Sequence, residues 1–246
     1  MTNHSNNNLA GRTALVTGST SGLGRAIALQ LAAEGAAVIV HGRDADRGAA
    51  AVAEITDAGG TARFVGADLS DTAQVERLIT DVGDVDILVN NAGLAVFSPT
   101  ADLPTATYEA LFANNVRAPF MLVAAFAPKM VANGAGSIVN ISSMSAKVGL
   151  ALGSAYGASK AALESMTRSW AAEYSPSGVR VNAVAPGPMY TNGADHDRIQ
   201  ALGSTTPMNR AAQPNEVAEL VVFLASPQAS YITGATIAAD GGRTAV

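Results

Sequence analysis

The sequence contains no cysteine, so it can form neither disulfide bridges nor thiolate metal sites. It is also poor in charge: 14% of its 246 residues are charged, and the formal net charge is −5. Nucleic-acid binding normally needs a basic face, and this composition argues against that class of partner. No uninterrupted apolar run reaches the ~18 residues that span a bilayer. The longest, residues 119–130, contains Lys129, and we expect no membrane association.

The amino-terminal residues lack the features of a targeting signal. Residues 1–10 are polar and asparagine-rich, without the apolar stretch of a signal peptide. The whole chain combines 48% hydrophobic residues with 24 glycines, which is typical of a compact folded protein. We therefore predict a flexible polar tail over residues 1–10, one domain over residues 11–246, and a cytoplasmic location.

Short aliphatic runs alternate with alanine-rich stretches along the chain, which predicts an α/β fold with a parallel sheet. The predicted strands are residues 13–17, 37–41, 62–66, 87–90, 137–142, 179–184 and 236–239. The predicted helices are residues 22–34, 46–58, 72–81, 107–132, 155–174 and 215–225. Seven strands with six crossovers indicate one Rossmann-like, doubly wound sheet with helices on both faces.

The segment 186–210 interrupts this alternation, because it is rich in glycine, threonine, asparagine, aspartate and proline and has little periodicity. Loops of this length in compact domains are usually functional or disordered. It leaves a strand at the carboxyl side of the sheet, where ligands bind in open α/β folds. We interpret it as a substrate lid, and a plain surface loop is the alternative.

A glycine-rich turn follows the first predicted strand and precedes the first predicted helix. Glycines allow a tight turn and close backbone approach, and the helix N-terminus stabilises an anionic pyrophosphate. This context favours a dinucleotide-binding site over a purely structural turn. The predicted contacts are Gly18, Ser19, Thr20, Ser21, Gly22, Leu23 and Gly24.

The end of the second predicted strand bears on which dinucleotide binds. Sites that prefer NAD usually place a carboxylate there to bind the ribose hydroxyls. This chain has Arg43 at that place and no acid before Asp44. An arginine can pair with a 2′-phosphate, so NADP(H) is favoured, with NAD(H) still possible. The alternative is an exposed Arg43 beside a helix capped by Asp44.

Two further groups of candidate cofactor contacts follow predicted strands. Asp68 and Leu69 come after the third strand and are candidates for contact with adenine. Asn91, Ala92 and Gly93 follow the fourth strand, where small residues would let the backbone run against a ribose. Either group could instead reflect turn chemistry alone.

Tyr156 and Lys160 lie four residues apart in a predicted helix and so share one helix face. A fixed positive charge beside a phenol favours the phenolate and lowers its pKa from the usual value near ~10. A shift of about three units corresponds to roughly 4 kcal/mol. Lys160 and the positive charge of a bound nicotinamide could supply it. This makes Tyr156 a candidate general acid/base, with an accidental surface pair as the alternative.

Taken in order, these segments resemble the short-chain dehydrogenase/reductase family, and the match runs from about Arg12 to the Asp-Gly-Gly ending at Gly242. The combination is specific: a Thr-Gly-x-x-x-Gly-x-Gly turn, Asn-Asn-Ala-Gly, a serine thirteen residues before Tyr-x-x-x-Lys, and Pro-Gly after the sixth strand. The resemblance implies an NAD(P)-dependent oxidoreductase that moves a hydride to or from a carbonyl carbon.

The resemblance also implies roles for single residues. Ser143 matches the hydroxyl that binds the substrate oxygen, and its neighbour Ser142 fits the spacing less well. Tyr156 matches the proton donor or acceptor, and Lys160 matches the residue that holds the nicotinamide ribose. Asn115 matches the asparagine that supports a water-linked proton relay, with a one-residue ambiguity because Asn114 adjoins it. The residues that match the border of the nicotinamide carboxamide are Pro186, Gly187, Met189 and Thr191.

Several rival chemistries fit the sequence less well. A metal-assisted dehydrogenase would need cysteine or histidine ligands, and the three histidines are scattered, so we expect no metal. No histidine is placed to form a hydrolase pair with Ser143. A nucleotide-binding regulator without turnover would be expected to lack Tyr156 or Lys160.

The substrate is predicted to be a small, mostly apolar ketone or secondary alcohol. Candidate wall residues are mostly apolar, although ordinary core packing would explain each equally well: Leu94, Val96, Met144, Val148, Leu150, Leu152, Tyr190 and Met208. The rival is a 3-oxoacyl group on acyl carrier protein, which is acidic and would dock on a basic patch. The helix ends at residues 131–137 and 171–178 carry no basic residue, which favours a free small molecule.

The apolar helices at residues 119–130 and 161–170 carry more hydrophobic surface than one sheet face needs. Such an excess, like the family resemblance, favours a symmetric homotetramer.

Overall fold

The computed structural model describes residues 8–191 and 195–246, and its centre is a seven-stranded parallel sheet. The strands are β1 (Thr13–Val16), β2 (Ala37–Gly42), β3 (Thr61–Gly66), β4 (Ile87–Asn90), β5 (Gly136–Ile141), β6 (Val179–Pro186) and β7 (Thr236–Ala239). Their order is β3-β2-β1-β4-β5-β6-β7, and every neighbouring pair is parallel. This order confirms the predicted doubly wound α/β class.

Helices connect the strands and cover both faces of the sheet. They are α1 (Gly22–Ala33), α2 (Ala45–Asp57), α3 (Thr72–Val82), α4 (Thr105–Phe112), α5 (Ala118–Ala132), α6 (Ser154–Tyr174), α7 (His196–Gly203) and α8 (Pro214–Ala225). Central strands bury both faces, which explains why β4 reads Ile-Leu-Val-Asn with all four residues buried. Side chains pointing to opposite faces of the sheet therefore form two separate apolar clusters.

The first cluster packs α1 and α8 against one face of the sheet through Ile27, Leu31, Val217 and Val221. The second packs α3, α5 and α6 against the other face through Leu78, Leu122, Phe126 and Leu163. With helices on both faces, the rim of the sheet is left for ligands. The chain moves outward from β1 to β3 and then returns to β4 on the other side of β1. Such a reversal opens a crevice at the carboxyl ends of the strands, where ligands bind in open α/β sheets.

Two details differ from the sequence expectations. Leu9 is buried in the first cluster and its N–H donates to the Glu34 carbonyl at 3.0 Å, so residues 8–10 are not a loose tail. Residues 1–7 of the predicted tail and residues 192–194 of the predicted lid lie outside the described residues. Within the predicted loop 186–210, residues 196–203 form α7, a short helix capped by the Asp195 carboxylate. Its two turns are too short for periodicity to reveal.

One helical stretch, Thr105–Ala132, is long and apolar enough to cross a membrane by length and composition alone. It joins α4 and α5 through a π-helical turn, residues 113–117, and so extends well beyond the apolar run seen in the sequence. Half of its most apolar window is buried inside the protein, and Leu122 and Phe126 pack against the sheet. Helices in the core of a folded protein are commonly both long and apolar in this way and buried against a sheet.

Candidate active site

The glycine-rich turn between β1 and α1 is held by side chains from two neighbouring strands. His41 at the end of β2 accepts a hydrogen bond from the Gly18 N–H on Nδ1 at 3.1 Å. The Ser19 hydroxyl accepts from the His41 N–H at 3.0 Å. Asn91, just after β4, donates from Nδ2 to the carbonyls of Thr17 at 2.9 Å and Gly18 at 3.2 Å. The turn is therefore shaped before any ligand binds.

Close packing explains why glycines occupy this turn. A Cβ added to Gly24 would lie 2.3 Å from the Gly18 carbonyl oxygen, and one added to Gly18 would lie 2.9 Å from the Ala92 Cα. Gly18 and Gly22 also have positive φ values of 65° and 53°. Ser21 caps α1 without a side-chain hydrogen bond, so its hydroxyl does not cover the first-turn N–H groups. These features fit the pyrophosphate of a dinucleotide.

Burial lowers the pKa of His41. The residue is 2% exposed, and loss of solvent lowers the pKa to about 4, although the Ala67 backbone and the Asp68 charge act in the opposite direction. A neutral ring with its proton on Nε2 is the form that can accept from Gly18 through Nδ1. His41 therefore stabilises the turn only while it is uncharged.

Two charged residues follow β2: Asp44 caps α2, and Arg43 is exposed to solvent. The Asp44 carboxylate accepts from the Arg47 N–H at 3.0 Å and from Arg47 Nε at 3.0 Å, which fixes it as the cap of α2. Arg43 leaves 76% of its side chain exposed and lies 3.9 Å from the Asp68 carboxylate. A Cβ on Gly42 would lie 2.6 Å from Thr20 Cγ2, so the two loops touch. The arginine is therefore the available charged group at this strand end.

The two predicted adenine contacts, Asp68 and Leu69, differ in how far their side chains are exposed. Asp68 is partly exposed, and hydrogen bonds from the Ser70 N–H and hydroxyl lower the pKa of its carboxyl. Leu69 is only 4% exposed and packs in the core. A contact of the Leu69 backbone with adenine stays a prediction, as does the contact of Asp68.

Tyr156 lies in the first turn of α6, and Ser143, the candidate hydroxyl for the substrate oxygen, lies two residues after β5; both side chains line the cavity described below. Ser142 is not free for the same role, because its hydroxyl donates to the buried Glu164 carboxylate at 2.8 Å. Burial raises the pKa of Tyr156, and hydrogen bonding to Ser143 lowers it by less. The expected lowering of this pKa is therefore not a property of the protein alone, because loss of solvent outweighs the neighbouring groups.

Lys160 extends from the next turn of α6 into the interior. Its Nζ donates to the Ile141 carbonyl at 2.8 Å and lies 5.9 Å from the centre of the Tyr156 ring. Burial lowers the pKa of this ammonium to about 8, so it remains mostly charged at neutral pH. A Cβ on Gly93 would lie 3.1 Å from Nζ. Glycine therefore leaves room beside the ammonium.

Asn115 fastens the loop after β4 to α6 from within the π-helical turn. Its Oδ1 accepts from the Leu94 N–H at 2.8 Å, and its Nδ2 donates to the Leu94 carbonyl at 2.9 Å and to the Ser159 hydroxyl at 2.9 Å. Asn114 instead donates to the Ala110 carbonyl of its own helix. Of the two asparagines, Asn115 is thus the one that reaches the site.

A cavity of about 650 Å³ opens above these groups. Most predicted cofactor and substrate residues near the reaction centre line it: Leu23, Asn91, Gly93, Leu94, Ser143, Met144, Leu150, Tyr156, Lys160, Pro186, Gly187, Met189 and Thr191. The lining residues that we did not predict include Phe97, Asp195, Arg198, Ile199 and Leu202. The wall is mainly apolar.

Tyr190 does not line this cavity, contrary to expectation. Its N–H donates to the Ala212 carbonyl, and its ring stacks on His196 with 4.5 Å between ring centres. Among the other candidate wall residues, Met208 borders a separate pocket, and Val96, Val148 and Leu152 do not line the cavity described here.

Comparison with known proteins places this site in a family. The family model described as "Enoyl-(Acyl carrier protein) reductase" matches residues 18–244. A solved structure of a short chain dehydrogenase/reductase family protein has a TM-score of 0.91 and 51% identity, covering 97% of this chain and 100% of that one. This chain belongs to the short-chain dehydrogenase/reductase family.

Other members of this dehydrogenase/reductase family show the range of related activities. L-rhamnose 1-dehydrogenase (NAD(P)(+)) of Azotobacter vinelandii is 38% identical, over 95% of this chain and 97% of the relative. Cis-4-hydroxycyclohexanecarboxylate dehydrogenase of Sinomonas cyclohexanicum is 41% identical, over 96% and 98%. These relatives support an NAD(P)-dependent oxidoreductase that acts on alcohols or ketones.

Two further solved members differ in their names. A provisionally named NAD(P)-dependent gluconate 5-dehydrogenase from Beutenbergia cavernae, with NADP bound at low occupancy, has a TM-score of 0.93 and 39% identity, covering 98% and 100% of the two chains. A provisionally named betaketoacyl-ACP reductase has a TM-score of 0.90 and 51% identity, covering 97% and 100%. Family membership therefore leaves several substrates open.

The sequence interpretation missed two kinds of functional residue in this dehydrogenase/reductase. The first is His41, for which the sequence does offer a usable signal: its position near a strand end beside the glycine turn. Phe97 and Arg198 gave no local signal. They reach the cavity from a loop and from α7, so only the tertiary structure reveals them.

We predict that His41 makes the protein less stable in acid. The unfolded histidine binds a proton near pH 6.5 and the folded one near pH 4, so between these values the unfolded state holds more protons. The free energy of unfolding should fall as pH drops through this window, by up to about 3 kcal/mol.

The matched variant is His41→Asn, because asparagine offers an acceptor at a similar position but does not titrate. Thermal unfolding midpoints at pH 7.5 and 5.0, at equal protein concentration, should show a smaller acid shift in the variant. Identical shifts in the two proteins would contradict the assignment.

Proposed function

We propose that this enzyme reduces a small, mostly apolar ketone to a secondary alcohol, or catalyses the reverse reaction, with Tyr156 as the general acid/base. The observation that carries the proposal is that Tyr156 and Ser143 line one mainly apolar cavity, with the Lys160 Nζ 5.9 Å from the centre of the Tyr156 ring. Two hydroxyl donors at one cavity wall can stabilise an oxygen that gains negative charge.

The residues around the turn fit a nicotinamide dinucleotide. The N–H groups of the glycine-rich turn would hold the pyrophosphate, and Lys160 would hold the nicotinamide ribose. The segment from Pro186 to Thr191 would border the carboxamide. When bound, the nicotinamide supplies or accepts the hydride. The protein then has to orient the carbonyl carbon, exclude water from the cavity and move one proton.

The raised pKa of Tyr156 suits the direction of reduction. A phenol that keeps its proton at neutral pH is ready to donate it as the carbonyl oxygen becomes an alkoxide. Ser143 donates to the same oxygen and polarises the carbonyl. In the opposite direction Tyr156 must first lose its proton, and the charged Lys160 nearby favours that state.

Asn115 and Lys160 would support proton movement beneath the tyrosine. Asn115 holds the Ser159 hydroxyl, and that hydroxyl donates to the Tyr156 carbonyl at 2.7 Å. This chain of contacts fixes the first turn of α6 against the loop after β4. Asn115 acts here as a positioning residue, and the proposed water-linked relay to Lys160 would run beside it.

The enzyme is further proposed to prefer NADP(H) to NAD(H). Asp44 is committed to capping α2, so no carboxylate at the end of β2 is free to bind ribose hydroxyls. The exposed Arg43 guanidinium supports this preference, because it could pair with a 2′-phosphate. A relative's name includes NAD(P)(+), and solved relatives hold NADP, which is compatible with this preference.

A 3-oxoacyl group on acyl carrier protein is the second candidate substrate. It is favoured by the 51% identity to a structure provisionally named as a betaketoacyl-ACP reductase. Against it, Arg117 is tied to the Ser70 carbonyl and Arg198 faces the cavity. The helix ends that would meet an acidic carrier carry no basic residue. A nucleotide-binding regulator without turnover is a third reading, and retention of Tyr156 and Lys160 weighs against it.

We also propose a homotetramer in the cytoplasm. Phe120 on α5 is 53% exposed, and its ring centre lies 6.5 Å from that of Trp170 on α6. Trp170 itself is buried, so Phe120 is the exposed member of this pair, and an exposed aromatic side chain on an apolar helix is our candidate contact with another subunit.

Tyr156→Phe should lower kcat by roughly 100- to 10,000-fold, because the variant has no proton to donate. NADPH binding, followed by fluorescence, should stay within about threefold, since the ring remains. Tyr174→Phe, at the far end of the same helix, serves as the control and should keep its rate. An unchanged rate in Tyr156→Phe, measured by NADPH absorbance across a panel of ketones, would overturn the mechanism.

Arg43→Ala should weaken NADPH binding by roughly 10- to 100-fold, the usual effect of losing a hydrogen bond to a charged group. NADH binding should stay within about twofold, because NADH lacks the 2′-phosphate. Arg47→Ala is the matched control. Arg47 lies four residues after Arg43 and pairs with the Asp44 carboxylate. Equal losses for both dinucleotides would remove Arg43 from cofactor choice.

Phe120→Asp should reduce the molar mass measured by light scattering after size-exclusion chromatography, because a buried carboxylate opposes association. Leu152→Asp is the control: Leu152 is similarly exposed, at 52%, but lies in the loop that precedes α6 and not on either helix. A tetramer that persists unchanged in Phe120→Asp would show that this face is not an interface.

A further inference from the structure

One cationic side chain at the cavity has no task in the chemistry described above. Arg198, on α7, lines the cavity, and its guanidinium carbon lies 5.6 Å from the centre of the Phe97 ring. The Phe97 ring in turn lies 5.6 Å from that of Tyr156. The guanidinium is therefore no more than twice this distance from the Tyr156 ring, which is within the reach of one small molecule.

Arg198 differs from most other arginines of the protein in its partners. Arg12, Arg25, Arg47 and Arg210 form ion pairs within 3.0 Å with carboxylates. Arg63, Arg117 and Arg180 donate to backbone carbonyls. Within residues 8–191 and 195–246, the Arg198 guanidinium has neither an ion pair within 4.0 Å nor a hydrogen bond. Its planar pair of donors is thus available at the cavity wall.

The two other charged residues that line the cavity are held by hydrogen bonds within the protein. Lys160 also lines the cavity, but it is buried and donates to the Ile141 carbonyl beneath Tyr156. Asp195 is the acidic residue of the lining, and its Oδ1 accepts from the N–H groups of Asp197 and Arg198 at the start of α7. This capping commits Asp195 to the helix and leaves the arginine free to pair with a ligand.

We infer that the substrate carries a carboxylate, which Arg198 binds while the carbonyl group lies at Ser143 and Tyr156. This inference rests on the proposed carbonyl reduction and narrows its substrate class to keto acids and hydroxy acids. Arginine presents parallel N–H donors that match a carboxylate in a bidentate pair. Phe97 holds the guanidinium by a cation–π contact, which orients it before the ligand binds.

The remaining wall fits the body of such a molecule. Leu94, Met144, Leu150 and Ile199 present apolar surface between the two polar ends of the cavity. A substrate bound at both ends would have its carbonyl fixed in orientation, as productive hydride transfer requires. Arg198 is then a specificity-determining residue, and it takes no part in the proton transfer.

The test compares one keto acid with its neutral ester: 4-oxocyclohexanecarboxylate and methyl 4-oxocyclohexanecarboxylate, each with NADPH. The wild-type enzyme should favour the acid at least about tenfold in kcat/KM. Arg198→Gln should lower kcat/KM for the acid by roughly 10- to 100-fold, and for the ester by less than about threefold. Arg198→Lys should recover part of the loss. Arg168→Gln, an exposed arginine of α6, is the control.

Asp195→Asn supplies a second, opposite prediction. Asparagine still caps a helix, so α7 should persist, but the negative charge beside the proposed carboxylate is removed. Binding of the acid should become tighter, while binding of the ester should not change. Equal kcat/KM for acid and ester in the wild type, or equal losses for both in Arg198→Gln, would overturn the inference.

A binding measurement separates this inference from the proposed function. Quenching of bound NADPH fluorescence is titrated with cyclohexanecarboxylate and with cyclohexanecarboxamide, neither of which can be reduced. Arg198-dependent binding of the carboxylate alone supports the anion site even if no ketone turns over, an outcome in which only the proposed function fails. Binding of both compounds, or of neither, refutes the anion site even if ketones are reduced.

Discussion

The functional groups of this protein depend on one constraint, the convergence of parallel strand ends at a single edge of the sheet. The ends of β1, β2, β4, β5 and β6 carry, in turn, the glycine turn, His41, Asn91, Ser143 and Pro186. Hydrogen bonds then join neighbouring strand ends, as in the contacts of Asn91 with Thr17 and of His41 with Gly18. Because these hydrogen bonds join loops of neighbouring strands, the cofactor turn and the reaction centre form one connected surface. Loss of either hydrogen bond would shift the residues of both loops that it joins.

Burial is the second physical factor, and it shifts the pKa values of three titratable groups of the site in the direction of the neutral form. It raises the pKa of Tyr156, lowers that of Lys160 to about 8 and lowers that of His41 to about 4. The outcomes differ because the unperturbed values differ: at neutral pH the phenol keeps its proton, the ammonium keeps its charge, and the imidazole is neutral. One desolvating environment thus yields a proton donor, a cation and a hydrogen-bond acceptor. The same environment explains why the protein alone does not acidify Tyr156.

We assign the selectivity for cofactor and for substrate to exposed arginines at the two ends of the site, away from the buried Tyr156 and Lys160. Arg43 lies at the end of β2 and Arg198 on α7, and both keep their donors accessible while nearby carboxylates cap helices. Asp44 at the cofactor end and Asp195 at the substrate end both accept hydrogen bonds from N–H groups of the helices that they cap, so neither is paired with Arg43 or with the Arg198 guanidinium. Relatives that share the central chemistry carry names with different substrates, as expected if specificity resides in such peripheral groups.

The sequence by itself determined the parallel sheet, the glycine turn at its first strand, and the four-residue spacing of Tyr156 and Lys160. These features are local or periodic, and so they can be recognised without knowing which segments meet. Only the tertiary structure decided which of Ser142 and Ser143, and which of Asn114 and Asn115, reaches the site, because the deciding partners are Glu164, Leu94 and Ser159. It also decided the direction of the Tyr156 pKa and the approach of Phe97 and Arg198 to the cavity. Burial and contacts between residues about 20 to 100 positions apart arise only when the chain folds, and no local pattern encodes them.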